Sequence, residues 1–195
     1  LKLKLDFYQR DGVNVAQDLL GKLLVRELDG QKIISKIVET EAYIGPEDKA
    51  CHAYQNKRTK RTEVMFGRAG NAYIYLIYGM YNCLNIVTAS VGKPEAVLIR
   101  AVEPIEGLDT IRKYRQIKSK KVEDLTNGPG KLCQALAIDK KLNGYDMTYG
   151  DKLYVLDSNY KLEVVKDKRI NIDYAEEYKK KLWRFYIKGN PFVSR

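Results

Sequence analysis

Asp29-Gly30 and Gly79-Met80 each separate two runs rich in β-branched and aromatic residues, and a chain punctuated in this way is committed to β-hairpins. Residues 22–27 and 31–43 make the first pair; residues 72–78 and 81–88 make the second. Residues 96–102, 152–156, 161–165 and 182–188 read as further strands. Residues 14–20, residues 105–116 and a segment opening at Gly128-Pro129-Gly130 and running through Ala137 read as helices. Strands outnumber helices and follow one another in hairpin order. The expected fold is therefore α+β: a single compact domain over residues 1–195, with a curved, mostly antiparallel β-sheet and peripheral helices. No internal repeat, low-complexity tract or Pro/Ser-rich linker divides the 195 residues, enough to bury a core without disulfide staples.

Several function classes fall away. The only histidine is His52, and Cys51, Cys83 and Cys133 lie far apart with no CxxC or HExxH pair, so no metal site is expected. No GxSxG elbow accompanies His52, which argues against nucleophilic hydrolase chemistry. An odd, scattered set of cysteines and no signal sequence point to free thiols in an intracellular, reducing setting. The most apolar stretch, residues 72–81, is too short to cross a bilayer, and no membrane partner is expected. The balance of 35 basic against 25 acidic residues gives a formal charge of +10 and a pI near 9.3. That favours polyanions without choosing nucleic acid among them.

The chemistry-bearing residues cluster in a few places. With the period of two, Ile33, Ser35, Ile37, Glu39, Glu41 and Tyr43 share one face of the second strand. Glu39 and Glu41 are about 6.6 Å apart by strand rise, a spacing that suits paired carboxylates in acid–base work and equally suits two exposed glutamates on a strand edge. Arg100 sits inside an apolar run and must find a partner, because an unpaired buried charge is too costly. Tyr73, Tyr75, Tyr78 and Tyr81 form the densest aromatic cluster among 15 tyrosines. They could pack across a sheet, or they could stack on bases with Tyr78 as a wedge at the hairpin tip. The long loop at residues 45–63 carries Lys57, Arg58, Lys60 and Arg61, either a solvated charge run or a set of phosphate contacts. Gly128-Pro129-Gly130-Lys131 offers backbone N–H groups and a lysine to an anion, but it is also ordinary helix-start punctuation.

Taken together, Val38-Glu39-Thr40-Glu41-Ala42-Tyr43-Ile44-Gly45-Pro46-Glu47-Asp48, His52, Met65-Phe66, the string from Tyr73 to Asn85, and Leu98-Ile99-Arg100-Ala101-Val102-Glu103-Pro104 resemble the alkyladenine (3-methyladenine) DNA glycosylase family. So do Asn127 to Leu136, Arg184-Phe185-Tyr186 and Asn190-Pro191-Phe192-Val193-Ser194, which extends the resemblance over nearly the whole chain. It implies a monofunctional, cofactor-free enzyme of base excision repair. Such an enzyme flips an alkylated or deaminated purine from double-stranded DNA and hydrolyses its N-glycosidic bond. Glu41 matches the carboxylate that activates water and Arg100 the residue that helps hold that water. Tyr43, His52 and Tyr75 match the walls stacking on the flipped base, Asn85 the pocket residue disfavouring a purine 2-amino group, and Tyr78 the side chain that fills the vacated place. A monomer is expected, in the cytoplasm and nucleoid of a bacterium or the nucleus of a eukaryote. Two rivals stay open: a non-catalytic single-stranded nucleic-acid-binding module and a lysine-dependent glycosylase that also cuts the strand.

Overall fold

Asp29 and Gly30 both take positive φ, 49° and 75°, so the first turn forms where the dipeptide places it. It folds β1 (Leu23–Leu28) back on β2 (Gln31–Ile44). In the computed structural model, which describes residues 1–194, β2 is the spine of an eight-stranded antiparallel sheet. Strand order is β3 (Ala72–Ile77), β4 (Tyr81–Thr88), β5 (Glu95–Glu106), β2, β1 and β6 (Leu153–Leu156). In addition, β8 (Arg184–Ile187) pairs with β2 and with β7 (Val164–Asp167).

β2 changes neighbours midway. Its first half pairs with β1, whereas Glu39, Thr40 and Glu41 pair with β8. β5 follows β2 almost throughout, with register irregularities between Ile37 and Glu39 and between Glu39 and Thr40. A bulge resets which way successive side chains point. The consecutive residues Ile37 and Val38 both enter the apolar core, together with Ile33 and Ala42. Glu39, Glu41 and Tyr43 remain on one face, but Ile33 and Ile37 do not share it, and strict alternation over the whole strand is corrected on this point.

The helices pack around this sheet. α1 (Leu5–Tyr8) precedes α2 (Gly12–Asp18), which begins earlier than its apolar spacing suggests because the Asp11 side chain accepts from the N–H groups of Val13 and Asn14. Thr40 Oγ1 donates to Ala16 O at 2.7 Å and ties α2 to the β2 segment bearing the glutamates. α3 (Leu108–Arg115) starts later than expected, since β5 continues through Glu106. Gly107 then turns the chain with φ 82°, where a Cβ would meet Lys32 O at 2.9 Å. α4 (Pro129–Ala135) opens at the predicted Gly-Pro-Gly and stops short of Ala137, which has φ 47°. Leu24, Ile37, Ile86, Ile99, Ile111 and Leu132 are fully buried between sheet and helices. Each is worth about 1.5–3 kcal/mol of apolar transfer. No helix among the described residues is long and apolar enough to cross a membrane.

Candidate active site

The junction where β1 gives way to β8 brings four elements onto two carboxylates. Arg100, on β5, donates from Nε to Glu39 Oε1 at 3.2 Å and from Nη1 to Glu41 Oε2 at 3.3 Å. This is the partner that the apolar surroundings of Arg100 demand. Burial pulls its pKa down, but Glu41 and Glu39 outweigh that and hold it above its ordinary value. The two glutamates differ in what else they touch. Glu39 accepts from Arg184 Nε on β8 at 2.7 Å and from the Ser194 N–H at 2.7 Å, so it knits strands and the C-terminal tail. Glu41 accepts from the Tyr43 hydroxyl at 2.8 Å and from the Ile170 N–H at 2.8 Å. Both side chains are completely buried.

Beside them lies a cavity of about 630 Å³ lined by Tyr43, His52, Tyr75, Asn85 and Arg100. β2 supplies Tyr43, β3 supplies Tyr75 and β4 supplies Asn85, so the sheet itself forms the floor. His52 stands edge-on to Tyr75, ring centroids 4.6 Å apart. Its Nδ1 lies 2.9 Å from the Tyr73 hydroxyl, and Arg61 Nη2 donates to Nε2 at 3.2 Å. Since Arg61 can only donate, Nε2 is the acceptor and Nδ1 carries the hydrogen. Burial and, second, the charge of Arg61 push the His52 pKa down to about 4. Burial raises Tyr75 well above its ordinary range; burial and then the Glu41 charge do the same for Tyr43. The aromatic walls are therefore neutral at physiological pH. Asn85 is fixed by donating from Nδ2 to Tyr73 O at 3.2 Å. A second hollow of about 590 Å³ near the N-terminus lacks this chemistry, and its Arg10 and Lys22 are paired with Asp18 and Asp157.

The β3–β4 hairpin carries Tyr78 out to the cavity mouth. The positive-φ pair is Tyr78-Gly79 (52° and 70°) and Met80 N donates to Ile77 O, so the turn sits one residue earlier than Gly79-Met80. Tyr78 is 77% exposed, which removes it from the core. Lys131 also reaches the cavity and donates to Asn127 Oδ1.

The basic loop divides. Arg58 makes a two-pronged bond to Glu63, and Arg61 folds over the Tyr75 ring at 5.0 Å, so neither is a bare loop charge. Lys57 and Lys60 have no acidic partner among the described residues.

Three contributors escaped sequence reasoning: Ile170, whose backbone holds Glu41, and the completely buried pair Arg169–Asp48. Backbone donors leave no side-chain signature, and residues 168–172 have no periodicity to flag them.

The methylpurine-DNA glycosylase (MPG) family model matches residues 6–191. A protein of Natranaerobius thermophilus named "Putative 3-methyladenine DNA glycosylase" is 59% identical, covering 100% of this chain and 99% of its own length. Proteins of the same name from Alkaliphilus oremlandii and Desulfitobacterium hafniense are each 52% identical, covering 100% and 99% of this chain and 100% and 98% of their own lengths.

Proposed function

The chain belongs to the methylpurine-DNA glycosylase family, and on that premise we propose that this DNA glycosylase flips alkylated or deaminated purines out of duplex DNA and hydrolyses their N-glycosidic bond with water activated by Glu41. What supports the reading is one observation: a buried carboxylate, Glu41, held by Tyr43 and Arg100, which themselves line an aromatic cavity.

Flipping costs a few kcal/mol and is easiest for damaged or mispaired bases. Tyr78, exposed at the hairpin tip, occupies the gap left in the stack. The extruded base enters between Tyr43, His52 and Tyr75, and Asn85 selects against a 2-amino group. A purine alkylated at N3 or N7 is cationic, and neutral aromatic walls attract it by about 0.5–2 kcal/mol. In the chemical step the water oxygen bonds to C1′ while the C1′–N bond breaks, and its electron pair leaves with the base. Glu41 takes the proton from water and its negative charge opposes the developing oxocarbenium charge on the sugar. Arg100 keeps the Glu41 carboxylate in place and helps hold the water. A cationic base departs neutral and needs no proton. Lys57, Lys60 and Lys131 neutralise phosphates, with Arg58 and Arg61 contributing once they leave their present partners. The protein works as a monomer within the cell.

Incubation with duplex DNA carrying methylated purines, followed by separation of released bases and strands, tests this. Free base with an intact abasic strand is expected. Binding without release would favour a non-catalytic nucleic-acid module, and strand scission without heat or alkali would favour lyase chemistry.

A further inference from the structure

Arg169 and Asp48 are both fully buried, 121 residues apart in sequence, and joined through two parallel bonds: Nη1 to Oδ2 at 2.5 Å and Nη2 to Oδ1 at 2.8 Å. Removing two charges from water costs several kcal/mol per ion, so such a pair is poor value as mere glue and must be held by further bonds. Those bonds are present on both sides. Asp48 Oδ1 accepts from the Ala50 N–H and Oδ2 from the Ile44 N–H, which fixes the chain leaving β2. Arg169 Nη1 also donates to Ala42 O at 3.0 Å, one residue from Glu41 and one from Tyr43. Its guanidinium lies 4.8 Å from the Tyr43 ring and 5.1 Å from the Trp183 ring. The next residue, Ile170, gives its N–H to Glu41 Oε1.

We infer that Arg169 is a positioning residue: clamped by Asp48, it backs the Tyr43 wall of the base slot and presents the Ile170 N–H that orients the Glu41 carboxylate. The inference rests on the function proposed above. Lysine cannot reproduce it, because an ammonium has no planar fork to engage both Asp48 oxygens while lying on an aromatic ring.

The test is single-turnover excision by Arg169→Lys, at a temperature where circular dichroism shows the variant folded, alongside its affinity for abasic product DNA. Losing a hydrogen bond to a charged group predicts a rate about tenfold to hundredfold lower, with affinity for abasic product DNA kept within about threefold. The side-chain bonds to Glu41 from Tyr43 and Arg100 are not touched by the substitution. A folded variant that excises within about threefold of the unaltered protein, or whose affinity for abasic product DNA falls as far as its rate, overturns the inference. If Arg169→Lys fails to fold, Asp48→Asn, which keeps the shape and releases the clamp, is judged by the same outcomes. Absence of base release by the unaltered protein would instead overturn the functional reading itself.

Discussion

Tyr43 donates its phenolic hydrogen to Glu41 Oε2 at 2.8 Å, across two residues of the same strand. One side chain thus serves as a wall of the cavity and as an orienting bond to the carboxylate. Burial, reinforced by the Glu41 charge, keeps the phenol protonated at any working pH, so the donor is always available. Tyr43→Phe preserves the ring and removes only that donor. We expect binding of damaged duplex to be retained and single-turnover excision to fall about tenfold to hundredfold, the worth of a hydrogen bond to a charged group. Binding and rate both unchanged would assign Tyr43 to stacking alone.

His52 has a pKa of about 4 in the folded protein against an ordinary 6.5. The unfolded chain therefore takes up a proton between these values that the folded chain refuses. The stability that His52 contributes is complete above pH 6.5 and is lost as pH falls toward 4. A proton NMR titration of the imidazole should show a midpoint near 4; a midpoint of about 6 or more would contradict the burial argument. In Arg61→Ala the midpoint should rise only part of the way, because burial is the larger cause.

Binding to undamaged duplex should weaken steeply with salt, as lysines displace condensed counterions. Replacing Lys57, Lys60 and Lys131 together should lower the slope of log affinity against log salt by about one for each phosphate contact removed. Arg58→Ala should change the slope less, since Glu63 already neutralises that guanidinium. An unchanged slope in the triple variant would move the DNA footprint elsewhere, to the basic run at residues 118–121.

Tyr78→Ala should leave the melting temperature nearly unchanged, because the ring is 77% exposed and contributes little burial. In the proposed role its loss lets the target nucleotide return to the stack, so fluorescence of etheno-adenine in duplex DNA should report a smaller flipped fraction. Unaltered flipping would reject the wedge.

Much of the fold was legible because its signals are local. Asp29-Gly30 fixed one hairpin, and the period of two put Glu39, Glu41 and Tyr43 on one face. What was illegible depended on partners that only the folded chain brings together. Bulges opposite β5 reset the phase between Ile37 and Glu39, and nothing in β2 alone announces a change of neighbour from β1 to β8. Arg58 and Arg61 read as loop charges because Glu63 and the His52–Tyr75 pair meet them only after the loop folds. Arg169 escaped notice because its partner Asp48 lies 121 residues away.

Glu39 and Glu41 provide the most direct trial of the mechanism, since both contact Arg100 but only Glu41 also contacts Tyr43. The measurement is single-turnover release of methylated base from duplex DNA, with enzyme in excess, for the unaltered protein, Glu41→Gln and Glu39→Gln, alongside melting temperatures. We predict that Glu41→Gln binds DNA and stays folded but loses about 10²–10⁴-fold in rate, the range for removing a general base. Glu39→Gln should mainly lower the melting temperature, because it leaves Arg100 and Arg184 short of a buried countercharge, and its rate loss should be the smaller. A Glu41→Gln variant that excises within about tenfold of the unaltered protein, or a folded Glu39→Gln variant that is the slower of the two, would contradict the assignment of Glu41 as the base.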